Sequence, residues 1–136
     1  MGESIVHMNL VEKLADWIAK SLLDGEYVYM YIENPGNPVE KKPQLVNGFV
    51  PDVMAIKAPS YDCIIGEAKT ADDIDNQHTL DQVEAFLSKC AEFKDSYFVF
   101  AVPWYRVGLA KAIIKYCCRN INVYNVRTRV LEKLPG

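Results

Sequence analysis

Histidine is nearly missing from this chain, with His7 and His78 its whole supply, so a zinc centre built on imidazole ligands is not expected. Cysteine does not fill the gap. Cys63, Cys90, Cys117 and Cys118 show no Cys-x-x-Cys spacing and fall in apolar stretches, the pattern of reduced, buried thiols rather than of disulfides or metal ligands. A run of about 18 apolar residues, the length a membrane helix needs, does not occur. Nor does the start of the chain show a basic segment leading into an apolar core and a small-residue cleavage site, so a soluble, cytoplasmic protein is expected. Basic charge is short as well: the formal net charge is −3, which argues against an unselective grip on nucleic acid. Clustering of Lys and Arg, or a cation held in an acidic site, would offset that balance locally. Repeats, heptads and low-complexity tracts are absent, and 136 residues, 50% of them apolar, suit one domain with a proper core.

What the chain does have is a pair of apolar runs carrying acids. Residues 49–56 (Phe-Val-Pro-Asp-Val-Met-Ala-Ile) and 63–69 (Cys-Ile-Ile-Gly-Glu-Ala-Lys) read as strands, and residues 58–62, with Pro59, Ser60 and Asp62, supply turn chemistry between them. A hairpin is expected. Side chains alternate along a strand, so Glu67 and Lys69 share a face, and hairpin pairing brings Asp52 level with Glu67. Two carboxylates and an ammonium then converge at one end of an apolar hairpin. That set suits Mg²⁺, which takes oxygen ligands, is commonly held by one or two carboxylates and keeps several waters; the backbone carbonyl of Ala68 would add a third oxygen. Lys69 would orient the attacking water and stabilise charge developing on a phosphate, so hydrolysis of a phosphodiester is the chemistry these groups fit.

Pro51-Asp52, fourteen intervening residues and then Glu67-Ala68-Lys69 resembles the signature of the PD-(D/E)xK nuclease superfamily, which includes restriction endonucleases, RecB-type exonuclease domains and archaeal Holliday-junction resolvases. The resemblance implies a core of helix, three-stranded meander, helix and strand. It implies a Mg²⁺-dependent deoxyribonuclease, with Mn²⁺ able to substitute, in which Asp52 and Glu67 hold the metal and Lys69 is catalytic. An acid on the first helix often joins that metal site, and Glu12 is the residue carried over. Gln82, followed by Phe86, is similar to the Gln-x-x-x-Tyr element of RecB-like nucleases with Phe in place of Tyr, and would hydrogen-bond Lys69, a water or a phosphate.

The rest of the chain follows the same order. Residues 4–23 carry Val11, Leu14, Ile18 and Leu22 at helical spacing, with Glu12 at the margin of the apolar arc. Residues 26–32 alternate as a strand, with Tyr27, Tyr29 and Tyr31 on one face, suited to cross-strand packing or to base stacking. The loop 34–43 offers Lys41 and Lys42 to phosphate, and the acidic connector 71–76 lacks the Gly and distal Glu of a calcium loop. A second helix is expected over 78–90, a buried strand over 96–102, a third helix over 107–119 and a last strand over 121–130. Between the buried strand over 96–102 and the third helix, Pro103-Trp104-Tyr105-Arg106 offers two aromatics that would line a groove or plug the sheet's end. Lys111, Lys115 and Arg119 recur every four residues, a solvated stripe or a phosphate-contacting one.

The expected fold is therefore α/β, a three-layer restriction-endonuclease-like domain in the order α-β-β-β-α-β-α-β. DNA is the expected substrate, with a homodimer or a partner protein supplying target recognition. Two other readings stay open: a nuclease-fold DNA-binding or regulatory subunit that does not cut, and an unrelated α/β domain in which Asp52, Glu67 and Lys69 form only an ion-pair network beside a small-molecule site.

Overall fold

The protein is described here by a computed structural model, which covers residues 5–23, 28–32, 46–57 and 62–133. It is a mixed α/β fold built on an open five-stranded sheet in the order β1-β2-β3-β4-β5. Helix α1 (Ile5–Trp17) continues into a π-helical turn (Ile18–Leu23) and precedes an antiparallel meander of β1 (Val28–Ile32), β2 (Val53–Lys57) and β3 (Asp62–Ala68). Helix α2 (Gln77–Ala91) then crosses to β4 (Ser96–Pro103), parallel to β3. A 3₁₀ turn (Trp104–Arg106) and helix α3 (Val107–Ile121) lead to β5 (Arg127–Lys133), parallel to β4. The element order is the expected one. No helix among the described residues is long and apolar enough to cross a membrane.

Alternation along the central strands divides the core between the two faces. Met54, Ile65, Phe98 and Phe100 pack with Val83, Phe86 and Ile113 under α2 and α3. Val53, Ile64, Val99 and Ala101 pack with Leu10, Leu14 and Ile18 under α1. The continuous apolar run of β4 follows from this, since a strand covered on both faces has no solvent side to present. Helix α1 lies close because Gly66 has no side chain: a Cβ built there would stand 3.0 Å from the terminal methyls of Leu14 and Ile18. Helix α2 starts where Asn76 Oδ1 accepts the Thr79 N–H at 2.8 Å, an N-cap that satisfies one of the helix's orphan donors.

Two boundaries depart from expectation. The strand expected to begin at Phe49 begins at Val53, because Phe49 closes a tight turn onto Val46 through two backbone hydrogen bonds, with Asn47 and Gly48 at positive φ. The last strand begins at Arg127 rather than at Ile121, because α3 runs on to Ile121 and stops at Asn122, which takes the left-handed cap conformation at φ 57°. Lys41, Lys42 and Tyr27 lie outside the described residues, as do the side chains of Tyr29 and Tyr31.

Candidate functional site

The strand register sets the site. Val53 pairs with Gly66, which puts Asp52 directly opposite Glu67, one residue past the last ladder pair. There the strands stop exchanging backbone hydrogen bonds and the carboxylates take over. Asp52 Oδ2 accepts the Ala68 N–H at 2.9 Å, and Glu67 Oε1 accepts the Asp52 N–H at 3.1 Å. Each acid therefore clasps the backbone of the other's segment, and both are buried. Lys69, just beyond β3, places its Nζ 3.5 Å from Glu67 Oε2, and its side chain is itself largely buried. Its backbone is anchored to β4 by an N–H donated to the Ala101 carbonyl at 3.0 Å.

The electrostatics follow from the burial. Glu67 has its carboxyl pushed well above the usual carboxylate range, first by removal from water and then by the negative charge of Asp52; the Lys69 ammonium pulls the other way without cancelling them. The pair is short of positive charge.

The side chain from α1 that reaches this point is His7. Its Nε2 lies 3.1 Å from the Ala68 carbonyl oxygen and 3.3 Å from Asp52 Oδ2, so an Nε2–H sits between two oxygens that a cation would also seek. Glu12, the acid expected from this helix, is exposed, and among the described residues no contact joins it to the Asp52–Glu67 pair. His7 precedes Leu10 and Val11 by three and four residues, so it falls on the buried arc while Glu12 falls off it. That spacing was the signal in the sequence for His7.

Gln82 is buried on the inner stripe of α2 with Thr79, Val83 and Phe86, over the sheet face that carries Ile65 and Glu67. Its Oε1 has no hydrogen-bond partner among the described residues, an orphaned buried acceptor near the N-terminal half of the helix. Lys111, Lys115 and Arg119 are exposed on α3, and among the described residues no hydrogen bond or ion pair joins them to this cluster; the first two border a groove against β5.

Among the described residues, no three His, Cys, Asp or Glu side chains stand together as a metal cage. The ligands offered here are oxygens, two carboxylates and the Ala68 carbonyl, with the His7 imidazole against Asp52 Oδ2 and that carbonyl. That set fits a hard dication that keeps much of its water. Positive charge at this point would also relieve the Asp52–Glu67 repulsion. Comparisons with family models, with curated proteins and with solved structures find no match for the chain.

Proposed function

We propose that the chain is a divalent-cation-dependent nuclease of restriction-endonuclease-like fold, hydrolysing DNA phosphodiesters at the ends of β2 and β3. The observation that carries this reading is the mutual clasp of Asp52 and Glu67 with Lys69 Nζ 3.5 Å from Glu67. The meander, the parallel crossover and helices on both sheet faces support the same fold. Asp52, Glu67 and the Ala68 carbonyl would hold Mg²⁺ or Mn²⁺, with His7 at its margin. The cation supplies charge stabilisation on the phosphate and lowers the pKa of water. Lys69 contributes a fixed ammonium beside Glu67, placed to orient a water and to offset negative charge as the phosphorus gains an oxygen. Gln82 Oε1 offers an acceptor for that water or for Lys69. Burial of the two carboxylates keeps bulk water from diluting these interactions.

The test is incubation of wild type, Glu67→Ala and Lys69→Met with single-stranded, duplex and branched DNA, with and without Mn²⁺. Cutting is expected in wild type with the cation and is lost in both variants. Equal cutting by all three proteins would sink the assignment. Salt-dependent DNA binding without cleavage at any Mg²⁺ or Mn²⁺ concentration would leave a recognition module of the same fold.

A further inference from the structure

Beyond the carboxylates, the same end of the sheet carries two features that the hydrolytic reading does not use. Strands β3 and β4 run parallel with Ala68 opposite Ala101, and β4 continues two residues further, to Pro103, before the 3₁₀ turn. Trp104 and Tyr105 therefore stand one strand over and a few residues beyond Glu67, roughly 10–15 Å away at ordinary strand spacing and rise. They are 49% and 60% exposed, with ring centroids 5.6 Å apart and planes at 79°, so one ring presents its face where the other presents its edge. Arg106 ties this turn back toward Lys69, its Nη2 donating to the Ala71 carbonyl at 3.4 Å.

The next strand over continues the track. Along the outer edge of β5, lined by its residues 128–132, a cleft of about 570 Å³ opens, with Val107, two residues after Tyr105, at its side. Lys13, Lys111 and Arg129 line it against a single acid, Glu132. Arg129 is held in place by its guanidinium 5.5 Å over the Trp17 ring. In a chain of net charge −3 this is a local cationic excess, and Val107 links it along the chain to the exposed Trp104–Tyr105 turn.

We infer that single-stranded DNA is the substrate form, running across the ends of β3 and β4 and along the edge of β5, with a base stacked on the Trp104–Tyr105 turn and its phosphates in the Lys13–Lys111–Arg129 cleft. Aromatic rings beside a cationic groove are what an unpaired strand engages, because its bases have free faces. A duplex hides those faces in its own stack and asks instead for a broad basic surface, which a net charge of −3 does not favour. This inference rests on the nuclease reading for its polarity toward Glu67, but its test does not depend on cleavage.

The test is fluorescence anisotropy with a labelled oligo-dT and a blunt duplex of equal length, in Ca²⁺ so that binding is read without cutting. Wild type is expected to favour the single strand. Trp104→Ala/Tyr105→Ala should weaken single-strand binding about 10- to 100-fold, the loss of one or two stacked bases, and change duplex binding less than about threefold. Trp104→Phe/Tyr105→Phe keeps the rings and should restore most of the affinity. Tyr116→Ala removes a ring that is 54% exposed on α3 but does not line the Lys13–Lys111–Arg129 cleft, and should leave both ligands unaffected. Arg129→Gln should lower the slope of log affinity against log salt by about 0.7 on the single strand. Single-strand affinity within twofold of wild type in the double alanine variant, an equal loss on duplex, or no single-strand preference in wild type would overturn the inference. The nuclease reading fails separately, if wild type cuts no DNA with Mn²⁺.

Discussion

Replacing Glu67 with Gln should stabilise the protein in the absence of metal and destabilise it, relative to wild type, in its presence. Glu67 is 3% exposed and faces Asp52 across the strand pair. Charges about 5 Å apart repel by about 3 kcal/mol at an effective dielectric near 20, and burial of the carboxylate adds several kcal/mol more. The Lys69 ammonium at 3.5 Å returns about 4–5 kcal/mol on the same scale. Glutamine keeps an oxygen for the Asp52 N–H, removes the repulsion and most of the desolvation penalty, and loses only the Lys69 attraction. The net gain is about 1–3 kcal/mol, in line with neutral replacements of other buried charges. In a chain of 136 residues each kcal/mol moves Tm by about 3–5 °C, so Glu67→Gln should melt roughly 3–15 °C above wild type in EDTA.

The pH dependence has a definite sign. The folded-state pKa of Glu67 is raised above its unfolded value, so its stabilising contribution is fully present below about pH 4.3 and is lost as pH rises through the folded value. The advantage of Glu67→Gln should therefore shrink on acidification from neutral pH toward the unfolded value. Mn²⁺ at about 1,000 times its Kd adds about 4.1 kcal/mol to wild type and little to the variant, more than the variant's advantage, so the order of the two melting temperatures inverts. Differential scanning calorimetry across pH, with EDTA or Mn²⁺, reads all of this. Equal metal-induced shifts in both proteins, or a variant less stable than wild type in EDTA at pH 7, would refute the charge argument.

The close approach of α1 makes Gly66→Val destabilising by about 1–3 kcal/mol, because the added methyls meet Leu14 and Ile18; urea titration should show a lower midpoint at unchanged m. Asn76→Ala should lower stability by about 1 kcal/mol through loss of the α2 N-cap, again by urea titration, and Asn76→Ser should recover most of it. His7→Ala should raise the Mn²⁺ concentration needed for half-maximal cleavage by about 10-fold, since the imidazole sits against Asp52 Oδ2 and the Ala68 carbonyl; an unchanged metal dependence with lowered Tm would reduce His7 to packing. Lys69→Met should lower kcat by about 100-fold or more while leaving Mn²⁺ binding by calorimetry within a few-fold.

The order of elements was readable because period-2 and period-3.6 patterns are local properties, and β4 announced its double burial by an unbroken apolar run. The pairing of Asp52 with Glu67 was readable for the same reason: two short strands joined by a short turn admit few registers, and a one-residue slip would turn the apolar set of β3 to the wrong face. The ends of elements were less legible. The start of β2 moved to Val53 because a turn with two residues at positive φ captures Phe49, and the start of β5 moved to Arg127 because Asn122, not Arg119, closes α3. Asn in a left-handed cap was the available cue.

What the chain alone determined was which groups have the chemistry: two carboxylates and an ammonium on adjoining strands, fixed by alternation. Which side chain of α1 meets them was a tertiary matter. Periodicity places His7 on the buried arc and Glu12 outside it, but only the packing of Leu14 and Ile18 against bare Gly66 brings that arc close enough for His7 to touch the Ala68 carbonyl. The same holds for Trp104 and Tyr105, which are distant in sequence from Glu67 and share its end of the sheet because β3 and β4 pair in parallel, and for the cationic cleft, which draws on α1, α3 and β5.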